Sequence, residues 1–169
     1  MAFENNLYCD FTDTTTNAVN GKDIILAIFN SDGSKLLAIS GQQSLTLNLE
    51  KDVIEIDAKT TKGGWRTKLP GMKNWTIEND ALYIPTDESQ KVLRSSFDND
   101  EIICIKVVNA KTETPLFGGL AIISELSIEA PSDDVATCSI TLEGSGALVD
   151  LVENESATMM PGDTEGTGV

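Results

Sequence analysis

The chain has no histidine. That removes Ser–His–Asp and Cys–His nucleophilic machinery, together with the commonest metal ligand. Cysteine is scarce. Cys9, Cys104 and Cys138 stand far apart with no Cys-x-x-Cys, so neither a disulfide framework nor a zinc site is expected. Cys104 and Cys138 fall inside apolar strand patterns and read as small buried hydrophobes. Aromatic residues make up 5% of the chain, and Trp65 and Trp75 are its only tryptophans, which disfavours a sugar-binding face. No apolar run approaches the ~20 residues of a membrane span. Residues 1–10 lack the basic start and apolar stretch of a secretory signal. No catalytic residue, metal ligand, cofactor or membrane contact is expected.

Bases are also few: 12 against 27 acids, for a net charge of −15. Affinity for nucleic acid comes from Lys and Arg neutralising phosphates. Such a chain is a poor nucleic-acid binder, though a suitable wall for DNA to slide past. The bases are unevenly placed. Lys59, Lys62, Arg66, Lys68 and Lys73 crowd into fifteen positions that hold no acid, so the remainder sums to −15 − 5 = −20. A basic segment in an acidic chain looks like half of a complementary pair, and another copy of the chain is a candidate for the other half. Segregated charge fixes register and orientation between partners more than it adds affinity. Trp65 and Leu69 are the apolar anchors of this segment, and a loop tryptophan more often anchors a protein contact than stacks on a base.

Hydropathy alternates with period two over much of the chain, the mark of half-buried strands. Strands are expected over 22–29 and 35–39, joined by a turn at Asp32-Gly33. Others are expected over 43–50, 53–57, 75–84, 101–109, 116–129 and 135–143. The strand before the basic segment and the strand after it can pair as a long hairpin. One helix is expected after Pro85, with Asp87 as N-cap and Gln90 completing a capping box. The fold class is mainly β: an antiparallel sandwich or barrel with one flanking helix and a long hairpin loop. At 169 residues one domain is expected, 21–149, between an N-terminal arm, 1–20, and an acidic C-terminal arm, 150–169.

Other polar groupings read as structure. Glu55 with Asp57, and Glu78 with Asp80, put paired carboxylates on one strand face, where a solvated acidic surface is the plainer reading than glycoside hydrolysis. Residues 98–101, Asp-Asn-Asp-Glu, lack the spacing and glycine of a calcium loop and read as a helix stop. Gly144-Ser145-Gly146 lacks the lysine of a phosphate loop and reads as a strand terminator.

Three segments carry a family resemblance. Gly64-Trp65 followed by residues 69–77, LPGMKNWTI, resembles the major tail protein, or tail tube protein, of bacteriophages. Residues 21–26, GKDIIL, resemble that family's first strand, and residues 130–146, APSDDVATCSITLEGSG, its last. The resemblance implies a structural subunit and no enzyme. It implies rings, usually of six, stacked into a hollow tube for delivery of double-stranded DNA, with terminator, tape-measure and tail-tip proteins as partners. The expected location is the virion tail, assembled in the host cytoplasm. On that reading the basic segment is an inter-ring contact. The acids of the strand faces, Glu55, Asp57, Glu78, Asp80, Glu125 and Glu129, are candidates to line the lumen, subject to register. Two alternatives stay open here: the inner tube of a contractile injection system, and a monomeric carbohydrate-binding sandwich.

Overall fold

The computed structural model describes residues 18–56 and 62–152. Cys9, Asp57 and Lys59 lie outside the described residues, as does most of each terminal arm.

Strands β1 (Ile24–Phe29) and β2 (Leu36–Ala38) form the first hairpin. Its turn is closed by Asn30, whose side-chain oxygen accepts the amide of Ser34 at 2.9 Å, with Gly33 at φ 66°. β3 (Gln42–Ile56) and β4 (Thr67–Leu82) follow, then helix α1 (Glu88–Asp98). β5 (Ile103–Asn109), β6 (Thr114–Glu129), β7 (Thr137–Gly144) and the two-residue β8 (Val149–Asp150) complete the chain. All pairings are antiparallel. They build one eight-stranded sheet in the order β2-β1-β5-β6-β7-β4-β3, with β8 against β6. Mainly antiparallel β with one helix is the expected class, and the choice between sandwich and barrel resolves to a single sheet rolled on itself. Gln42 at the start of β3 closes the roll. Its side chain accepts the Leu26 amide of β1 at 2.8 Å and donates to the Leu26 carbonyl at 2.6 Å.

The roll encloses Leu26, Ile28, Trp75, Ile77, Ile105, Ile123, Ile140 and Leu142, with Leu93 of α1 packed onto them. Asn79 is buried in this interior and donates to Gln42 Oε1 at 3.2 Å and to the Ser44 carbonyl at 2.8 Å, which ties the start of β3 to β4. Cys138 is buried as expected, and burial pushes its thiol pKa up.

Three expectations change. The 43–50 and 53–57 strands are one strand, β3, fifteen residues long. The basic segment is a loop only up to Arg66, because β4 begins at Thr67. Lys51-Asp52 looks like a break in the alternation, but β4 absorbs it. Lys51 pairs with Lys73 and Val53 with Pro70, so Gly71 and Met72 together face Asp52 as a bulge. Glycine is required there: a Cβ on Gly71 would lie 2.8 Å from Asp52 Cβ. The capping box also gives way. Asp87 sits at the N-cap, but its carboxylate makes no well-formed cap hydrogen bond. It accepts the hydroxyls of Ser40, at 2.9 Å, and Ser89 instead. Burial alone would raise the Asp87 pKa, and these hydroxyls, together with the backbone amides of Ser40 and Gln90, outweigh it and hold it low. Gln90 reaches past Asp87 to bind the Ile84 amide at 3.0 Å and the Leu82 carbonyl at 2.7 Å.

Candidate functional site

Two surfaces stand out, and strand register defines both. The first is the outer face of β3, β4, β7 and β6. Side chains alternate across a sheet, and partners in register share a face. Thr46, Glu78, Thr141 and Glu125 form one row of this face, and Ser44, Asp80, Ser139 and Ser127 the next. A further row holds Leu82, Thr137 and Glu129. A bulge between Ile123 and Glu125 brings Glu125 and Glu129 outward while Leu126 and Ile128 turn to the side of Cys138 and Ile140. Followed along β3 and β7, the same face carries Glu50, Asp52 and Glu143. Seven acids thus share a face on which the four strands place no Lys or Arg. Asp80 is the best-held: Ser44 and Ser139 each donate a hydroxyl at 2.7 Å, and these bonds, Ser44's first, lower its pKa. Its charge therefore persists to lower pH than that of an ordinary aspartate.

Glu78, Asp80, Glu125 and Glu129 are brought together by the fold, and Glu55 stands apart. It pairs with Lys68 beyond the Gly71 bulge and shares its side of β3 with Leu45 and Leu47. There it bridges Arg66 and Lys68, each at 3.2 Å. Sequence reasoning missed Glu143, which pairs with Thr76 and Ile122. Its alternation with Thr141 and Ser139 was the available signal.

The second surface is the arm. β4 pairs with β7 only over residues 76–82, so the distal halves of β3 and β4 continue beyond the sheet as a two-stranded ribbon. Such a ribbon is marginal in water by itself. It is nonetheless rich in exposed apolar groups: Trp65 and Met72, each 81% exposed, Leu49 at 68%, and Val53, Ile54 and Leu69. Exposed apolar clusters of this kind mark interaction surfaces. The arm is two-sided. Glu50, Asp52, Ile54 and Leu69 continue the acidic face, while Lys51, Lys73 and Lys68 point the other way with Leu49 and Val53. Lys62 opens the short turn before Trp65.

A cleft of about 510 Å³ with a mixed polar and apolar lining opens between α1 and the far end of β6 and β7. Leu126, Ile128, Cys138 and Ile140 line it from the strands, and Lys91, Leu93, Arg94 and Asp98 from the helix. No group of three or more potential ligands could hold a metal ion among the described residues.

A family model described as phage tail tube protein matches residues 18–150. The tail of an empty gene transfer agent particle, refined helically with C6 symmetry, is similar in structure at a TM-score of 0.69 and 18% identity, covering 79% of this chain and 98% of that one. The SPP1 tail tube is similar at 0.63 and 20%, covering 89% and 96%. The sheath–tube complex of an extracellular contractile injection system, PVC, is similar at 0.55 and 16%, covering 82% and 97%. No curated protein matches the chain in sequence.

Proposed function

Because the chain belongs to the phage tail tube protein family, we propose that it closes into six-membered rings that stack into a tube, with the acidic four-strand face turned to the lumen. Membership removes the carbohydrate-binding alternative. The observation that carries the reading is the charge of that face: acids Glu78, Asp80, Glu125, Glu129 and Glu143, and no base, across β3, β4, β7 and β6.

Topology supports ring closure. β3 is the last strand of the sheet order, so beyond Gln42 its outer edge has no strand partner among the described strands. β6 pairs with β5 only as far as Ala121, so residues 122–129 have an open edge as well, among the described strands. Exposed edges invite pairing. Across the face the strands alternate in direction: β6 down, β7 up, β4 down, β3 up. A rotation about an axis along the strands preserves those directions, so β3 of one copy meets the next copy's β6 antiparallel. Six copies then give a closed barrel without edges. At ~4.8 Å spacing and ~40° tilt, twenty-four strands make a backbone diameter of roughly 48 Å. Side chains narrow this by roughly 10 Å, which leaves room for a nucleic-acid duplex.

In this arrangement the lumen repels phosphate and passes double-stranded DNA without holding it. The arm, with Trp65, Arg66, Lys68, Leu69 and Lys73, reaches the neighbouring ring; Lys59 and Lys62 belong to the same segment. Terminator, tape-measure and tip proteins cap and fill the tube, which sits in the virion tail after assembly in the host cytoplasm. Negative-stain microscopy of the purified protein tests the reading. Rings or tubes about six subunits around are expected, and monomers at every concentration and salt would refute it.

A further inference from the structure

Strand register places two opposite charges at opposite ends of the subunit. β4 runs from the arm at Thr67 to Leu82, Leu82 pairs with Thr137, and Thr137 pairs with Glu129. The turn between Glu129 and Thr137 therefore lies at the end remote from the arm, about 43 Å from Leu69 at ~3.3 Å per residue. That turn carries Asp133 and Asp134, both exposed and in no ion pair among the described residues. Apolar side chains are exposed at the same end: Val135, Ile128 and Tyr83.

The arm shows the complementary pattern on the side away from the lumen. Lys51 and Lys73 are directly opposite each other on adjacent strands. Like charges in that position oppose pairing. Neither is in an ion pair among the described residues, whereas Lys68 is offset by Glu55. The exposed Leu49 and Val53 flank the two lysines.

We propose that the receiving surface for the arm is the turn carrying Asp133 and Asp134 of a second copy in the next ring. Lys51 and Lys73 meet the two aspartates, and Leu49 and Val53 cover Val135 and Ile128. Donor and acceptor lie at opposite ends of one chain, so the contact is head-to-tail. Such a contact does not close on itself and propagates a filament of single polarity. The inference rests on the tube reading above and adds the surface that the arm grips.

Charge exchange tests it. Lys51→Glu with Lys73→Glu should cut tube yield about tenfold or more, since like charges brought together across an interface oppose association. Asp133→Lys with Asp134→Lys should do the same. The chain carrying all four changes should recover tubes to near the original yield. Should the arm pair block tubes and the fourfold variant fail to recover them, the turn is not the receiver, and the arm's role in stacking stands. If neither pair alters yield, both the inference and the arm's stacking role fall. Melting temperatures identify any variant that does not fold. For that case, cysteines replacing Lys73 and Asp133 should yield a disulfide-linked ladder of chains on oxidation of assembled tubes only. Absence of the ladder overturns the contact.

Discussion

Trp75 joins three strands because two glycines make room for it. Its indole lies over Gly119 of β6 and Gly144 of β7, and its Nε1 donates to the Gly146 carbonyl at 2.9 Å. A Cβ on Gly144 would overlap the ring, and one on Gly119 would come within 2.8 Å of it. Gly144→Ala should therefore cost about 1–3 kcal/mol by overpacking, read as a lower melting temperature. Gly21→Ala, which meets nothing within 4 Å, should leave melting unchanged. In sequence Gly144 read only as a strand terminator, since a close approach from residue 75 has no local trace. Asp80 gives a second test. Its folded pKa is lowered, so its contribution to stability is present above the unfolded carboxylate range and is lost as pH falls through the folded value. Ser44→Ala with Ser139→Ala removes the cause. The Asp80 carboxyl resonance should then titrate at higher pH than in the original protein. An unmoved midpoint would show that the hydroxyls do not hold the charge. The polar side of β4 was legible because Thr76, Glu78 and Asp80 alternate with Trp75, Ile77 and Asn79. The serine clasp was not, because it joins strands 36 and 59 residues distant.

Helix α1 was legible from Pro85, Asp87 and the run of good helix formers, yet its start is fixed differently from the expected box. Gln90 satisfies both the amide of Ile84 and the carbonyl of Leu82, so it ties the helix to the end of β4. Gln90→Ala leaves those two backbone groups without their partner and should cost about 1–3 kcal/mol. A loss within measurement error would mean that water replaces the side chain. Propensity and spacing identified Gln90 as important but could not name its partners, which depend on how the chain enters from β4. The hairpin shows the same division. Alternation over 43–50 and 53–57 located both pieces of β3, but the bulge that joins them sits on the partner strand at Gly71 and Met72. That bulge also carries Lys68 to the side of Glu55, whose own side follows from the unbroken alternation of β3. A sequence with Glu55, Glu78 and Asp80 on polar strand faces does not reveal that Glu55 lies on the side opposite the other two, paired with Lys68. Charged residues on the arm are legible by composition; their sides are set by cross-strand register alone.

At the scale of the whole molecule, charge separates into three zones. The four-strand face is acidic, the far side of the arm is basic, and the remote turn is acidic again. The sequence showed the sum, −15, and the basic cluster, but the faces emerge only when β6, from the second half of the chain, is paired beside β7 and β4. The tube reading requires the first zone to repel a passing polyanion, and this sets the sharpest functional test. Replacing Glu78, Asp80, Glu125 and Glu129 by Lys changes the charge of each subunit by +8 on exposed positions outside the core. Exposed substitutions of this kind usually alter stability by about 0.5 kcal/mol or less each, so the subunit should still fold. Asp80 is the exception to watch, since Ser44 and Ser139 lose their acceptor. Assembled tubes of this variant should retain duplex DNA, and retention should fall steeply as salt rises, because phosphate neutralisation releases counterions. The original tubes should retain none under the same conditions. Glu55→Lys serves as the contrast: it lies on the other side of the ribbon, so it should not promote retention inside the tube. Variant tubes that hold no DNA at low salt would mean that this face does not line the lumen, whatever the tube contains.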